Sequence, residues 1–305
     1  MTWISPFSLP GSWFKGNLHT HSTQSDGALT PDQAIAWYRE QGYDFVALTD
    51  HWVLTKGQSF GPATDFVTLS GAELHGIGSY HLLALGLSEL PDRKPELDLQ
   101  QMVEFVLSHD GVPFVAHPYW TGQTSAEIAG IQGIYGIEVY NAVCDRMRGL
   151  GYSNVHWDDM LAAGKRLWGL AVDDVHWRYN AQGTGFVMVK APALDQASIL
   201  KAIRQGNFYA STGPAINDLR LVRLPGGSEQ PDGKLALRVH CSPCKAITFY
   251  ASGPQGVRYE APAGQCLDTA TCALRAEQVY LRVTCEDANG KVAWSNPVFV
   301  EDVLS

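Results

Sequence analysis

The chain has 305 residues, of which 45% are hydrophobic and 17% charged, so a globular protein with a sizeable core is expected. The formal net charge of −9 argues against a protein that binds nucleic acid or an anionic membrane through bulk electrostatics. The first sixteen residues contain one lysine and no apolar run, which predicts neither a signal peptide nor a membrane anchor and favours a cytoplasmic protein.

The first predicted strand, residues 16–21, ends in two histidines, His19 and His21, which are separated by one residue. Alternate residues of a strand point to the same side, so both imidazoles can reach a single metal ion. Asp26 follows in a polar turn, where its carboxylate can approach the same ion or a second one. Because a lone pair of this kind is more often a surface feature, its interpretation depends on the rest of the chain.

A helix is predicted after Thr30, which can form a capping box with Gln33, and it should end at Gly42. The short apolar strand that follows, residues 44–48, runs into His51. This is one strand–helix–strand unit with polar residues at both strand exits.

The rest of the first two hundred residues repeats this alternation. Further strands are predicted at 66–70, 81–87, 112–116, 134–140, 167–172 and 186–189, with helices at 99–107, 157–163 and 199–206. The pattern predicts a mainly parallel sheet, closed or curled, with helices outside it. In such barrels the active site lies at the carboxyl ends of the strands.

Five of these strand exits carry potential metal ligands. The exits hold His19 and His21, His51, Glu73, His117, and Asp174 with His176. One buried histidine is common in a protein core, but five such coincidences at one end of a sheet are not. The sequence therefore predicts a metal site at this edge.

After Pro214 the pattern changes to short alternating strands, predicted at 235–239, 247–251, 279–283 and 298–300, with no helical periodicity. This indicates two domains, a barrel that carries the metal site at 1–214 and a small all-β sandwich at 215–305.

Five of the six cysteines follow residue 240, and in a cytoplasmic protein they are expected to remain thiols. The Cys241-x-x-Cys244 pair could form half of a zinc site, but a second well-spaced pair is missing.

Together these motifs resemble the PHP superfamily, the polymerase and histidinol phosphatase metal-dependent phosphoesterases. The matching motifs are His19-x-His21 with Asp26, Thr49-Asp50-His51, Glu73 with His81, His117-Pro118, and Asp174-x-His176. The resemblance covers about residues 15–210. The segments 209–214 and 293–297 resemble the CehA/McbA-type branch, which carries a C-terminal β-domain and includes hydrolases of non-phosphate esters.

The resemblance implies a distorted (β/α)7 barrel that holds two or three divalent ions, of zinc, manganese or iron. By the same resemblance, the ions would be held by His19, His21, Glu73 and Asp174, by Glu73, His81 and His117, and by Asp26, His51 and His176. The final motif of the family usually has a small residue where Asp173 stands. The spacing between Asp174 and His176 favours Asp174 as the metal ligand. The roles of Asp173 and Asp174 could be reversed.

Metal-bound water is acidic enough to supply hydroxide at neutral pH. Three ligand carboxylates carry −3, less than the charge of two or three divalent ions, so a small anionic substrate is expected, most simply a phosphate ester. The candidate catalytic residues are Asp173, His75 and Arg178, and the candidate substrate-binding residues are Arg146, Arg148 and Trp177.

Two alternatives remain open from the sequence. The same hydroxide could hydrolyse a carboxylic or carbamate ester. A non-catalytic binding protein could instead keep the metal for structure and use the β-domain to dock a glycan or a protein, although so many ligands are not needed for a purely structural site.

Overall fold

The computed structural model describes residues 3–55, 65–92, 96–225 and 234–304. The N-terminal strands are β1 (Ser12–Asn17), β2 (Phe45–Leu48), β3 (Val67–His75), β4 (His81–Leu85), β5 (Val112–Val115), β6 (Gly136–Asn141), β7 (Trp168–Val172), β8 (Phe186–Ala191) and β9 (Phe208–Ser211). The helices between them are α1 (Pro31–Glu40), α2 (Leu99–Ser108), α3 (Pro118–Thr121), α4 (Ser125–Gly130), α5 (Ala142–Arg148), α6 (Asn154–Ala162) and α7 (Gln196–Arg204). Short 3-10 helices lie at Pro6–Ser8 and Ile77–Ser79.

The predicted capping box at the start of α1 is present, because the Thr30 hydroxyl accepts from the Gln33 backbone and the Gln33 side chain accepts from Thr30. A second capping box, between Asp98 and Gln101, starts α2. Gly42 follows α1 with a φ of 72°, which suits a residue without a β-carbon. These local signals place the first two helices where the sequence predicts them.

The sheet is mainly parallel, as predicted. Strands β1, β2 and β3 pair in parallel, and so do β5, β6 and β7. Strand β4 runs antiparallel between β3 and β5, and β8 runs antiparallel beside β1. Six strands therefore run in one direction, and their carboxyl ends lie at the same edge of the sheet.

The order of paired strands ends at β7, which packs against β8 and β9 but forms no strand ladder with them in the described part of the chain. The segments that follow β1 and β7 nevertheless meet through a parallel bridge between Thr20 and Val175. The Asp174 amide donates to the His19 carbonyl at 2.9 Å, and the His21 amide donates to the Val175 carbonyl at 3.0 Å. The first and last ligand-bearing exits are thus held side by side by backbone hydrogen bonds.

The C-terminal strands are β10 (Ile216–Arg223), β11 (Leu235–Cys244), β12 (Ala246–Ala251), β13 (Val257–Glu260), β14 (Leu267–Ala273), β15 (Tyr280–Glu286), β16 (Val292–Ser295) and β17 (Val298–Phe299), followed by α8 (Glu301–Leu304). Strands β10, β11 and β14 form a separate three-stranded antiparallel sheet. Strands β12, β13, β15 and β16 instead continue the large sheet, because β16 pairs antiparallel with β9.

An ion pair between a buried arginine and a partly exposed aspartate also joins the two parts of the chain. Arg282 of β15 is fully buried, and its Nε donates to Asp158 of α6 at 2.7 Å. The guanidinium lies over the rings of Trp157 and Tyr250, at 4.8 and 4.2 Å from their centroids. The Tyr280 hydroxyl donates to the same carboxylate at 2.8 Å. Asp158 therefore neutralises a charge that has no access to water.

Among the described residues, no helix is long and apolar enough to cross a membrane.

Candidate metal centre

The structure brings all nine predicted ligands together at the carboxyl edge of the sheet. His19 and His21 follow β1, His51 follows β2, and Asp174 and His176 follow β7. His81 arrives differently, since it is the first residue of antiparallel β4 and pairs in register with His75 at the end of β3. β3 therefore ends and β4 begins at the same edge of the sheet, and the short turn between them keeps His81 beside the other ligands.

Glu73 of β3 lies at the middle of the cluster and is 1% exposed. One carboxylate oxygen is 3.2 Å from Nε2 of His19, 3.2 Å from Nε2 of His21 and 3.1 Å from Nδ1 of His51. The other oxygen is 2.6 Å from Nδ1 of His81 and 3.0 Å from Nε2 of His117. Five imidazoles thus surround a single carboxylate, which suits a residue shared between ions.

Three overlapping groups of side chains have ligand atoms that lie within 4.8 Å of one another. They are His19, His21, Glu73 and Asp174; His51, Glu73 and His81; and His21, Asp26, His51 and His176. The first matches the set that the family resemblance implies. In the second, His51 stands where His117 was expected, although His117 also contacts Glu73. The third contains the whole expected set with His21 added.

The chemistry of this donor set fits divalent transition ions. Six imidazoles and three carboxylates offer nitrogen and oxygen atoms, which zinc, manganese and iron accept. Of the nine side chains only that of Asp26 is more than half exposed, at 51%.

The backbone is strained where ligands leave their strands. His117 has a φ of 29° and Asp174 a φ of 52°, both in the left-handed region that a residue with a β-carbon rarely adopts. Trp52 and Trp177, which directly follow the ligands His51 and His176, also have positive φ values. Such strain clusters at functional sites, where the surrounding structure fixes a side chain in a required position.

The charges at the site stabilise one another. Burial lowers the pKa of His21, but the hydrogen bonds that its ring donates to Asp174 and Glu73 outweigh burial and raise the pKa to about 9. Burial raises the pKa of Asp174, but the neighbouring His19 and His21 hold it below its usual range. His51 differs, because burial lowers its pKa to about 4. The two central carboxylates are therefore ionised and strongly favour a neighbouring positive charge.

A residue that the sequence analysis missed lies behind the ligands. Glu138 of β6 is fully buried, and its Oε1 is 2.6 Å from Nδ1 of His19. Its Oε2 accepts from the backbone amide of His117 and from the Asn141 side chain, both at 2.8 Å. Asn141 also donates to Asp174 at 3.1 Å. A carboxylate that fixes a ligand histidine in this way orients its ring and raises its basicity.

The Glu138→Gln variant is therefore expected to bind divalent ions about 10–100-fold more weakly, as losses behind a ligand generally do. The substitution removes the negative charge beside His19, and the NH₂ group of the glutamine would face the donors on His117 and Asn141. Calorimetric titration with Mn²⁺ measures the effect. Glu40→Gln, at an exposed position on α1, is the matched control. Equal affinity in the Glu138 variant and the wild type would contradict this role.

Two buried aspartates near the ligands support loops. Asp50 accepts hydrogen bonds from the side chains of Ser22, Ser25 and Thr55, at 2.7, 2.8 and 3.0 Å. It therefore orders the turn that carries Asp26.

Asp173 accepts from the Tyr38 hydroxyl at 2.6 Å and from three successive backbone amides at 183–185, between 2.7 and 2.9 Å. Burial raises its pKa to about 6 despite these bonds. Both oxygens are thus committed to Tyr38 and the 183–185 loop, and Asp173 does not line the cleft. This arrangement gives no support to the prediction that Asp173 is a catalytic residue.

The ligands open into a cleft of about 260 Å³. Its wall is formed by Asp26, His51, Glu73, His81, His117, Trp120, Val143, Cys144, Met147, Asp174, His176, Arg178 and Tyr179. Of the predicted catalytic and substrate-binding residues, only Arg178 belongs to this wall. The remaining wall residues outside the ligand set include three from α5, Val143, Cys144 and Met147, which the sequence analysis did not single out.

The other predicted site residues lie elsewhere. Arg146 and Arg148 are exposed on the last turn of α5 and do not line the cleft. Trp177 donates to the His21 carbonyl at 2.9 Å and packs edge-on against Trp37. The His75 ring lies 5.3 Å from those of His51 and His81, beside the ligands and outside the cleft wall. The geometry therefore supports no direct contact of these four side chains with a substrate in the cleft.

Comparison with solved structures shows which fold this is. A two-domain protein from Bacteroides vulgatus, described as containing a predicted PHP-like metal-dependent phosphoesterase, matches with a TM-score of 0.52 and 13% identity over 95% of this chain and 98% of its own. The protein PsfC from Pseudomonas syringae matches with a TM-score of 0.44 and 16% identity, over 60% of this chain and 84% of its own. No protein-family model matches the sequence, and no curated protein does. At these identities the likeness establishes a fold shared with the two-domain PHP-like protein.

Proposed function

We propose that this protein is a metal-dependent hydrolase of the PHP type that cleaves small phosphate esters. The observation that carries the proposal is the set of three overlapping ligand groups, centred on Glu73, at the wall of an open cleft. A structural metal site is normally closed by its ligands, whereas a catalytic one leaves a position open to substrate. The open cleft therefore favours catalysis over a purely structural metal.

Two or three divalent ions, of zinc, manganese or iron, would be held by these groups. His19, His21, Glu73 and Asp174 would hold one, and Asp26, His51 and His176 another. Glu73 and His81, with His117 or His51, would hold the remaining one. When bound, such ions provide hydroxide at neutral pH and offset the negative charge that develops on a phosphoryl group.

The charge balance of the site depends on Glu138. The three ligand carboxylates and Glu138 together carry −4, which two divalent ions only neutralise. Arg178 brings this balance to +1, and a third divalent ion would bring it to +3. Preference for an anionic substrate is therefore expected chiefly of the fully occupied site, and it rests on Arg178 as well as on the metal.

Different side chains around the cleft suit different parts of an ester substrate. Arg178 lies at the rim and forms no ion pair within the described parts of the chain, so its guanidinium is available to a phosphoryl oxygen. Tyr179, exposed beside it, offers a hydroxyl. Val143, Met147 and Trp120 form an apolar surface that suits the leaving group of an ester and keeps water from it.

That apolar surface is also what favours the second candidate function, hydrolysis of a carboxylic or carbamate ester. A neutral ester gains nothing from Arg178 and would depend on the contacts of its leaving group with Trp120 and Met147.

To separate the two functions, kcat/KM is measured for an aryl phosphate and an aryl carbamate that share one leaving group, with and without inorganic phosphate. We expect the phosphate ester to be the better substrate and inorganic phosphate to inhibit competitively, because it would occupy the place of the scissile group. A wide preference for the carbamate, with no inhibition by phosphate, would replace the phosphoesterase by its alternative.

Two arginine variants sharpen the comparison. Arg178→Gln should lower kcat/KM for the aryl phosphate at least about tenfold, since a hydrogen bond to a charged group contributes about 1.5–3 kcal/mol. The same change should leave the neutral carbamate almost unaffected. Arg146→Gln, which removes a charge outside the cleft, is the matched control.

We also propose that the N-terminal sheet is the distorted barrel of the PHP type, closed by the Thr20–Val175 bridge, and that a β-sandwich domain follows near residue 214. The second part is supported by the change to antiparallel strands after that point. The pairing of β9 with β16 and the Arg282–Asp158 pair would fix the sandwich firmly against the barrel.

A further inference from the structure

Three of the six cysteines come together in the C-terminal strands, far from the ligand cluster in sequence. Cys241 and Cys244 belong to β11 and Cys285 belongs to β15, and each is at most 2% exposed. The sulfur atoms of Cys241 and Cys244 are 3.9 Å apart. Cys285 packs in the same buried cluster as both thiols. A third cysteine, 41 residues after Cys244, therefore joins the Cys241-x-x-Cys244 pair in space.

An irregularity in β11 creates this arrangement. From His240 to Cys244 the strand advances four residues, while its partner β14 advances only two, from Thr269 to Leu267. In a regular strand, residues three apart point to opposite faces, so Cys241 and Cys244 would be separated by the backbone. The bulge turns both thiols to one side. Bulges of this kind re-aim side chains and are common beside functional sites.

The surroundings of the three thiols favour a cation. They pack in a buried cluster with apolar side chains, including Ile216, Ile247 and Val283. Thiolates buried in this way would be stabilised by a bound cation, because an unpaired buried charge is costly.

The spacing of the sulfurs decides between two kinds of partner. A disulfide requires sulfurs about 2.05 Å apart, so the pair would have to close by almost half its separation. A metal–sulfur bond of about 2.3 Å to each of two sulfurs 3.9 Å apart gives an S–metal–S angle of about 116°. That angle lies between the tetrahedral and trigonal values, so the pair already has the spacing of two ligands.

We propose that Cys241, Cys244 and Cys285 bind one thiophilic metal ion, of the class of Zn²⁺ or Cu⁺, with the two thiols of β11 as the primary chelate and Cys285 as the third ligand. Each thiol that coordinates gives up its proton to solvent. Since β11 lies in the three-stranded sheet and β15 in the large one, the ion would tie the two sheets together. This site uses no residue of the proposed hydrolase centre.

Cadmium is a suitable probe, because Cd²⁺ bound to thiolates gives an ultraviolet charge-transfer band that imidazole and carboxylate ligands do not. The reduced full-length protein is titrated with Cd²⁺, and we expect a band that saturates at one ion per chain. Cys244→Ser should abolish it. Cys272→Ser, a buried cysteine of β14 outside the trio, should leave it unchanged, and so should His19→Ala in the other site.

A second measurement does not require a folded variant. In the wild type, Cd²⁺ should slow alkylation of Cys241, Cys244 and Cys285 at least tenfold, whereas exposed Cys266 should react at an unchanged rate. Absence of a band in the reduced wild type, or no change in alkylation, overturns the proposal. A band that survives Cys244→Ser and disappears in Cys144→Ser also overturns it, by placing the thiolate in the cleft.

Discussion

Replacing Glu73 by alanine is expected to remove bound metal and to lower kcat/KM for an aryl phosphate by at least about a hundredfold, the upper end of the losses seen even for groups behind a ligand. The reason is its position, since its two oxygens contact five imidazoles and it belongs to two of the three ligand groups. Activity is measured by steady-state kinetics and metal content by elemental analysis. His19→Ala removes a ligand of the first group only. It should also lower the metal content, chiefly through loss of the ion held by that group.

The matched control for this variant is Glu104→Ala, which replaces an exposed glutamate on α2 that accepts a hydrogen bond from the side chain of Gln100. Circular dichroism should show that the Glu73 variant remains folded, because the ligands lie at the edge of the sheet and not among its apolar core. Full metal occupancy in Glu73→Ala would contradict the assignment.

The second large effect concerns stability. Asp158→Ala is expected to destabilise the protein by about 3–5 kcal/mol, because it leaves the buried guanidinium of Arg282 without a counter-charge. The free energy of unfolding is measured by urea denaturation. If the transition shows two steps, the C-terminal strands should be the part that unfolds first, since the pair joins β15 to α6.

Asp159→Ala is the control for this change. Asp159 is the next residue on α6, but it is exposed and accepts from Ser125 at the surface, so its loss should alter stability by no more than about 0.5 kcal/mol. Equal stability of the two variants would show that water reaches Arg282 or that another group neutralises it.

Much of the metal centre could be predicted because its signals are local. Most of the ligands follow or end a short apolar run, and the common direction of parallel strands then brings distant exits to one edge. His81 illustrates the same point, since its place depends only on the tight return from β3 to β4.

The residues that the sequence did not reveal depend on contacts between distant parts of the chain. Glu138 meets His19 across 119 positions, and in the sequence it is only one charged residue within an apolar strand. Asp173 meets Tyr38 across 135 positions. Local spacing cannot indicate such a partner, so Asp173 was assigned to catalysis from its place beside Asp174.

Short elements and sheet continuity were missed for related reasons. Helices α3 and α8 have four residues each, too few to show a helical period. The continuation of the large sheet through β9 and β16 joins strands about eighty residues apart, and neither strand carries a sequence signal that names its partner. The residues of α5 that line the cleft are decided by the position of that helix after β6. Hydrophobic periodicity alone does not define that position.

Counting metal ions is the most direct test of the central claim, that the cleft is a multinuclear hydrolytic site. The protein is stripped with a chelator, reconstituted separately with Zn²⁺, Mn²⁺ and Fe²⁺, and assayed for bound ions per chain and for aryl phosphate hydrolysis, in the Cys244→Ser background so that thiolate-bound metal is excluded. We predict two or three ions per chain with at least one of these metals, with activity lost on stripping and restored with the ions. Unchanged hydrolysis by the stripped protein, or binding of fewer than two ions with every metal, would contradict the account.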